Sequence, residues 1–237
     1  RLTHLTRTPR DNPVTLRPGA SRARGSTTAR IFAGANATLV LTGRNKNKLA
    51  EVAGNHYSQA CDLSDEEQCE QLIHNIINKF GRIDGLLNIA GGFAMGPKVD
   101  ELNQQQFTHM FAMNFTSTFN TCRSVLVHMN QQGYGNIVNV AARAALKGKA
   151  KMAPYCISKS AVVTLTESMA AEHQQDDINI NCILPGTIDT PTNRADMPDA
   201  DHSTWVPCED LANSMLFLCS PLARAINGAI IPVYGKS

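Results

Sequence analysis

The sequence predicts an α/β fold in which a doubly wound parallel sheet carries helices on both faces. The first observation is that short apolar runs alternate with segments of helical periodicity along the chain, as in a parallel sheet. The second is that a glycine-containing turn and a helix follow the first apolar run. The third is a length of 237 residues with 43% hydrophobic content, which suits one compact domain.

The first unit of this pattern predicts a nucleotide site. Residues 14–16 read as a strand, residues 19–25 as a turn of small residues, and residues 29–33 as part of the next helix. In a Rossmann fold this arrangement points backbone N–H groups and a helix N-terminus at a pyrophosphate. Arg17 and Pro18 depart from the pattern, because they stand where a buried strand should end. The expected cofactor contacts in the turn are Gly19, Ser21, Arg22 and Gly25.

The second unit predicts which nucleotide is bound. Residues 37–42 form a β-rich run, and Arg44 follows in the turn. The end of this strand meets the adenosine ribose in a Rossmann unit, where an acid selects NAD. An arginine suits a 2′-phosphate instead, so we expect NADP(H) to be preferred, with NAD(H) possible. Arg22 would add a second cation. The alternative is that both arginines are ordinary surface residues.

The next segments predict a third and a fourth strand. Residues 61–63 should end the third strand, and Ser64 with Glu67 should form a capping box for a helix that closes at Gly81. Residues 83–90 read as a buried strand. Small residues at its carboxyl end would let a cofactor approach closely.

A long helical region is predicted over residues 103–130, and Asn114 lies among its phenylalanines and methionines. A buried asparagine must find hydrogen-bond partners. The side chain is either satisfied structurally or organises a chain of water molecules. Three further strands are expected at residues 136–142, 178–184 and 229–233.

Tyr155 and Lys159 stand four positions apart at the start of a segment with helical periodicity. Residues at this spacing share one helix face, so both side chains can meet over one substrate. A neighbouring ammonium favours the phenolate and brings the pKa of a tyrosine towards neutrality. The pair is therefore a candidate proton donor and acceptor. The alternative is a surface tyrosine beside a solvated lysine.

Together these residues resemble the classical short-chain dehydrogenases/reductases from about residue 14 to residue 235. The resemblance rests on the turn at 19–25, Asp62-Leu63, Asn88-x-Ala90-Gly91, Asn114, the strand at 136–141, Tyr155-x-x-x-Lys159 and Pro185-Gly186-x-x-x-Thr190. It implies a single-domain, NAD(P)(H)-dependent oxidoreductase over residues 1–237, with 1–13 as a poorly ordered extension.

The resemblance also implies a role for each matching residue. Tyr155 would be the general acid/base, Lys159 would bind the nicotinamide ribose and lower the pKa of Tyr155, and Asn114 would hold a relay water. Asp62 and Leu63 would contact the adenine. The remaining cofactor contacts implied by the family motifs are Asn88, Ala90, Gly91, Pro185, Gly186, Ile188 and Thr190.

Several positions depart from the family pattern. Pro18, Ala23 and Arg24 alter the glycine turn, and Ile89 replaces an asparagine. Ala142 stands where the family has its catalytic serine, thirteen residues before the tyrosine.

Dihydropteridine reductases keep the tyrosine and the lysine but also lack this serine, so the chain resembles them at the active site. The region 189–205 resembles theirs as well. We therefore expect a small carbonyl, quinonoid or pterin-like substrate, covered by a lid over residues 187–207. The alternative is a cofactor-binding pseudoenzyme with an interaction or sensing role.

Composition limits the other classes of partner. A net charge of +2 gives no reason to expect nucleic acid, and no apolar run of 18 residues predicts a membrane span. Seven cysteines without a C-x-x-C pair favour reduced thiols and a cytoplasmic location, and the histidines lack metal-ligand spacing. The arginine-rich first thirty residues resemble a mitochondrial transit peptide, which we treat as the minor alternative. The helical regions near 103–130 and 153–175 carry more apolar surface than one side of a sheet can cover, which predicts a homodimer or homotetramer.

Overall fold

A parallel sheet of seven strands forms the centre of the molecule. The computed structural model describes residues 12–19 and 23–236, with the side chains of the first helix described from Thr27 onward. The strand order across the sheet is β3-β2-β1-β4-β5-β6-β7, and every neighbouring pair is parallel. The strands are β1 Val14–Pro18, β2 Thr38–Gly43, β3 Tyr57–Ala60, β4 Gly85–Asn88, β5 Gly135–Val140, β6 Ile178–Pro185 and β7 Ile230–Val233.

Helices cover both faces of this sheet, as predicted. Their bounds are α1 Ala23–Gly34, α2 Lys46–Ala53, α3 Glu66–Phe80, α4 Gln104–Phe111, α5 Ser117–Gln132, α6 Ala153–Glu172, α7 Pro191–Asp196 and α8 Cys208–Leu218. Helices α1, α2 and α8 bury apolar side chains such as Phe32, Leu49 and Met215 on one face. Helices α3, α5 and α6 bury another set, including Ile76 and Met129, on the opposite face. Within the described ranges, no helix is long and apolar enough to cross a membrane.

The strand order creates the position at which a ligand can bind. The chain builds β1, β2 and β3 outward in one direction and then crosses to β4 on the other side of β1. The connections after β1 and β4 therefore leave the sheet on opposite faces, and a crevice opens between the carboxyl ends of these strands. Several of the sequence-predicted site residues, among them Arg44, Gly91 and Tyr155, lie at this edge.

The first strand is longer than its sequence pattern predicts. Arg17 and Pro18 are both strand residues, paired with Leu41 and Thr42 of β2. Because β1 lies in the middle of the sheet, backbone pairing with β2 and β4 keeps the segment extended despite two unsuitable side chains. Arg17 is consequently buried in full.

The capping box predicted at Ser64 and Glu67 is wrong by one residue. Asp65 is the N-cap of α3: it accepts a hydrogen bond from the Gln68 backbone N–H at 3.0 Å, and the Gln68 amide donates to its other oxygen at 2.9 Å. Ser64 instead donates its hydroxyl to Asp62 at 2.7 Å. The third strand also ends at Ala60, so residues 61–63 are a loop rather than a strand end.

The predicted helix over residues 103–130 is present, but its hydrogen bonding is interrupted. A π-helical turn, Ala112–Thr116, joins α4 to α5 and contains Asn114. Ser117 and Thr118 donate their hydroxyls to the carbonyls of Met113 and Asn114 at 2.9 and 3.1 Å. Such turns are frequent at functional sites.

Candidate active site

Two adjoining cavities lie along the carboxyl edge of the strands. The first has a volume of about 310 Å³ and extends from Gly19 and Arg44 to the π-helical turn. The second has a volume of about 350 Å³ and surrounds Tyr155 and Lys159. Both are lined by Ile89 and Gly91, so they meet at the end of β4. Volumes of this size are typical of cofactor sites.

The first cavity contains most of the residues predicted to contact the adenosine half of a cofactor. Its lining includes the predicted residues Gly19, Arg44, Asp62, Leu63, Ala90 and Gly91. The Asp62 carboxylate is fixed by hydrogen bonds from the backbone and hydroxyl of Ser64 at 3.0 and 2.7 Å.

Lys48 also lines the first cavity and was missed by the motif analysis. It lies in the first turn of α2, one helical turn beyond Arg44. Its backbone N–H donates to the N-cap Asn45 at 2.9 Å. The sequence signal that could have identified Lys48 is its position, four residues after Arg44 at the start of α2.

Two glycines allow the chain to pack closely at the junction of the cavities. Gly19 has a φ of +82°, and a Cβ there would lie 3.0 Å from the Ala90 backbone. Gly91 has a φ of +149°, and a Cβ there would lie 2.7 Å from Asn114 Oδ1 and 3.1 Å from Lys159 Nζ. Glycine at position 91 therefore lets the asparagine and the lysine lie side by side.

The structure describes part of the predicted glycine turn. Ser21 and Arg22 lie outside the described residues, so the contacts predicted for them stay predictions. Gly25 lies in the first turn of α1, with its backbone helical.

Tyr155 and Lys159 lie together in the second cavity, as their spacing predicts. Both come from the first two turns of α6. Lys159 is buried and donates from Nζ to the carbonyl of Val140 at 2.9 Å. Tyr155 is half-buried. Its ring packs edge-to-face against the ring of Phe93, with 5.0 Å between the ring centroids. The phenol is thus held at the wall of the cavity rather than pointing freely into solvent.

Asn114 is fully buried and finds its partners in the chain itself. Its Oδ1 accepts from the Gly92 N–H at 2.9 Å, and its Nδ2 donates to the Gly92 carbonyl at 3.0 Å. This pair of bonds fixes the loop after β4 beside Lys159. Both polar atoms of the Asn114 side chain therefore have hydrogen-bond partners within the chain, whereas the water-relay role stays a prediction.

Asn88 lies away from both cavities. It donates to Asn139 Oδ1 at 2.8 Å and accepts from the Thr121 hydroxyl at 2.8 Å, and Asn139 donates onward to Thr166 at 3.0 Å. These buried bonds tie β4 and β5 to α5 and α6. We therefore assign Asn88 to positioning the site rather than to contacting a cofactor.

Some of the residues at and after the end of β6 line the second cavity, whereas others form hydrogen bonds that hold the local backbone. Pro185, Gly186 and Ile188 line the second cavity. Thr190 does not, because its hydroxyl caps α7 by accepting from the Asn193 N–H at 3.1 Å. The Asn193 amide donates to the Ile188 carbonyl at 2.7 Å.

The predicted lid, residues 187–207, is closed on itself by a parallel bridge between Ile188 and Val206. Asn193 and Met197 of the lid reach the cavity, whereas Trp205 is buried and packs against His202 at 4.3 Å between ring centroids.

Ala142 faces the site, so the family's serine position carries a methyl group there. It lines the second cavity and packs in a cluster with Ala144, Cys156 and the ring of Tyr155. Tyr155 and Thr187 are the hydroxyl-bearing residues among the described residues that line this cavity.

The connected cavities fit an extended dinucleotide. Basic side chains stand at the nucleotide end, a close approach of backbone lies at the middle, and a phenol with a buried ammonium stands at the other end. This is the distribution that a phosphorylated cofactor and a proton-accepting substrate require.

The comparisons with known proteins agree with this geometry. The model of the short chain dehydrogenase family matches residues 14–201. A protein of Penicillium rubens described as "Short chain dehydrogenase adrF" is 36% identical, with 78% of this chain and 80% of that protein covered. The 7alpha-hydroxysteroid dehydrogenase of Escherichia coli K12 is 29% identical, with 95% and 94% covered.

A solved structure gives the same result for the fold. The gluconate 5-dehydrogenase from Burkholderia cenocepacia, in complex with NADP and tartrate, superposes with a TM-score of 0.90 at 28% identity and covers 99% of this chain and 98% of that one. The protein therefore belongs to the short-chain dehydrogenase family and is an NAD(P)-dependent oxidoreductase.

Proposed function

We propose that this oxidoreductase uses NADP(H) and reduces a small, conjugated carbonyl, quinonoid or pterin-like compound, with Tyr155 as the general acid. The observation that carries the proposal is the pairing of Tyr155 and Lys159 in a cavity whose serine position is Ala142. The cofactor supplies the hydride. Tyr155 supplies the proton to the substrate oxygen, and Lys159 keeps a positive charge beside the phenol.

The preference for NADP(H) is supported by Arg44 and Lys48, which both line the nucleotide cavity. A 2′-phosphate would meet two cations there, and charge-assisted bonds of this kind are among the stronger hydrogen bonds in proteins. The related gluconate 5-dehydrogenase structure contains NADP.

The substrate class follows from the missing hydroxyl. A donor aimed at the developing oxyanion typically contributes a factor of about 10² to 10³ to the rate. A substrate that delocalises the charge over a ring needs that second donor less. We therefore expect weak turnover of simple ketones and measurable turnover of conjugated substrates.

NADPH oxidation against paired simple ketones, quinones and quinonoid dihydropterin tests this function. Tyr155→Phe should lower turnover of the conjugated substrates by a factor of about 10² to 10⁴, since it removes the general acid. Tyr57→Phe is the matched control, because its hydroxyl bonds Gln59 on β3 at 3.2 Å. Ala142→Ser should raise ketone reduction.

Two outcomes would contradict the proposal. Rapid reduction of plain ketones by the parent protein would show that the missing donor is not limiting. Cofactor binding without turnover of any substrate class would favour the alternative of a pseudoenzyme.

We also propose that the protein is a homodimer or homotetramer. Phe107, Phe111, Phe115 and Phe119 form a continuous row of ring contacts along α4 and α5, with centroid distances of 5.0 to 6.2 Å. Phe119 is 38% exposed, and Val127 on the same helix is 53% exposed. Light scattering that finds only a 25.7 kDa species at micromolar concentration would contradict the proposal. A cytoplasmic location stays a prediction.

A further inference from the structure

The loop that joins β5 to α6, residues 141–152, is strongly basic. It contains one arginine and three lysines and no acidic residue; these are Arg143, Lys147, Lys149 and Lys151. Two of the four, Arg143 and Lys149, line the second cavity together with Lys159. No aspartate or glutamate is among the described residues that line this cavity. Its wall therefore carries three cations and no opposing carboxylate.

The backbone of this basic loop is held in place. The Lys151 carbonyl accepts from the Gly96 N–H at 2.9 Å, and the Lys149 carbonyl accepts from the Met152 N–H at 3.2 Å. The Ser160 hydroxyl donates to the carbonyl of Ala145. The loop is thus bonded to the segment after β4, to α6 and within itself. The backbone positions from which Arg143 and Lys149 reach the cavity are therefore defined.

The three cations at the wall differ in how far they are already engaged. Lys159 is buried and bonds the Val140 carbonyl. The Arg143 guanidinium lies 4.9 Å from the centroid of the Tyr234 ring, which orients its side chain. Lys149 is exposed and forms no ion pair with any residue in the described part of the chain. Lys149 is therefore the cation most available to a ligand.

The acid next to the cavity is already neutralised. Asp189 follows the lining residue Ile188, and Arg194 binds both of its oxygens at 2.6 and 2.7 Å. This contact holds the pKa of Asp189 below its ordinary value. The carboxylate thus does not offset the charge of Lys149, and the cavity favours an anion.

We infer that the substrate carries an anionic group, a carboxylate or a phosphate, which Lys149 and Arg143 bind while the carbonyl lies at Tyr155. This inference rests on the proposed function and narrows its substrate class. A cleft lined by one sign of charge concentrates ligands of the opposite sign. Lys149 would act as a specificity residue, since it lies in the pocket wall and takes no part in proton transfer.

Matched substrates and variants test the inference. The substrates are one conjugated carbonyl compound as its carboxylate and as its primary amide, and a second compound as its phosphate ester and as its free alcohol. For the parent protein we expect a kcat/KM about twofold to fivefold higher for the anionic member of whichever pair is recognised, the size expected of an exposed ion pair. Lys149→Gln should remove this preference through KM. Lys147→Gln, which removes the same charge from the same loop outside the cavity lining, should keep it.

The carboxylate and phosphate pairs identify which anion is recognised. Equal kcat/KM for charged and neutral members in the parent protein would overturn the inference and leave the proposed function standing. An equal loss for both members in Lys149→Gln would also overturn it, because that pattern indicates a structural role of the lysine rather than a contact with the anion. A raised KM for NADPH in Lys149→Gln would overturn it by assigning the lysine to the cofactor.

A binding measurement separates this inference from the proposed function. Calorimetry on the protein with NADP⁺ would compare benzoate with benzamide, and phenyl phosphate with phenol, without any turnover. We expect tighter binding of at least one anion, lost in Lys149→Gln and kept in Lys147→Gln. If no substrate is turned over, the proposed function fails, and the same calorimetry still decides whether the cavity selects anions.

Discussion

The two halves of the sheet differ in how their largest buried polar side chains are partnered. In the catalytic half, built on β4, β5 and β6, Asn88, Asn114 and Asn139 are buried and each has hydrogen-bond partners. In the nucleotide half, built on β1, β2 and β3, Arg17 is just as buried, yet its three guanidinium nitrogens have no partner among the described residues.

The catalytic half shows how polar side chains can make a rigid site. The bonds from Asn88 through Asn139 to Thr166 join β4, β5 and α6, the helix that carries Tyr155 and Lys159. A fully satisfied buried network specifies one arrangement of its members, because any displacement leaves a polar group unpaired. The helix that carries Tyr155 and Lys159 is thus held by side chains behind the cavity.

In the nucleotide half, the buried Arg17 lacks such hydrogen-bond partners among the described residues. Burial lowers the pKa of Arg17 to about 10, because removal from water disfavours the charged guanidinium. A buried charge without a partner is expensive. Pairing of β1 with β2 and β4 nevertheless keeps the strand in place. The comparison teaches that backbone pairing maintains this fold even where a side chain opposes it.

The largest effect is expected from breaking the network in the catalytic half. Asn88→Ala should lower the free energy of unfolding by about 3 kcal/mol, because it leaves the Thr121 hydroxyl and Asn139 with lost partners in the core. Urea denaturation followed by circular dichroism measures the change. Asn130→Ala, on the exposed face of α5, is the control. A loss no greater than that of the control would show that the network is unimportant for stability.

Removing the buried polar group of the nucleotide half should have the opposite sign. Arg17→Leu should raise the free energy of unfolding at pH 7 by about 2 kcal/mol, as expected when an apolar side chain replaces a buried charge. Arg224→Leu, at an exposed arginine, is the matched control. Destabilisation by Arg17→Leu would mean that the guanidinium has a stabilising partner in the folded protein.

The pH dependence of the same variant follows from the lowered pKa of Arg17. The folded chain releases this proton near pH 10, whereas the unfolded chain keeps it to a higher pH. Above pH 10 the unfolded state therefore holds more protons, and the stability of the parent rises relative to the variant. The advantage of Arg17→Leu should shrink progressively from about pH 10 upward, where the folded chain has lost the proton and the unfolded chain still holds it. Denaturation curves of both proteins across that range measure the difference.

A smaller effect is expected at the exposed surface of the nucleotide half. Arg44→Asp should reverse the preference for NADPH over NADH, with an affinity change of about tenfold for each cofactor, because an acid would repel a 2′-phosphate and accept from a 2′-hydroxyl. Fluorescence titration with both cofactors measures the ratio. Equal affinity for the two cofactors in the parent protein would contradict the assignment of Arg44.

The smallest effect is expected from Lys48. Lys48→Gln should weaken NADPH binding by about fivefold and leave NADH binding unchanged, since the lysine is exposed and its charge is screened. Lys46→Gln removes a neighbouring exposed lysine that does not line the cavity and is the control. Equal effects of both variants would indicate general electrostatic attraction rather than a positioned contact.

The sequence by itself determined the fold class, the strand order's parallel character and the meeting of Tyr155 with Lys159. These features depend on local periodicity and on an i, i+4 spacing, which are legible in a linear chain. Arg44, Asp62, Leu63 and Gly91 line the cavities, because the end of a strand in this fold has a fixed location, and their contacts with a cofactor stay predictions.

Only the tertiary structure decided what the buried polar groups contact. Asn88 and Thr190 matched cofactor motifs, yet their side chains bond Asn139 and the Asn193 backbone, and those partners come from folding rather than from spacing. The cap of α3 moved to Asp65 because Ser64 had a nearer acceptor in Asp62. Lys149 is a candidate binding residue because the fold places its loop at the border of the cavity. Hydrogen-bond partners and cavity walls join distant parts of the chain, so local sequence patterns do not specify them.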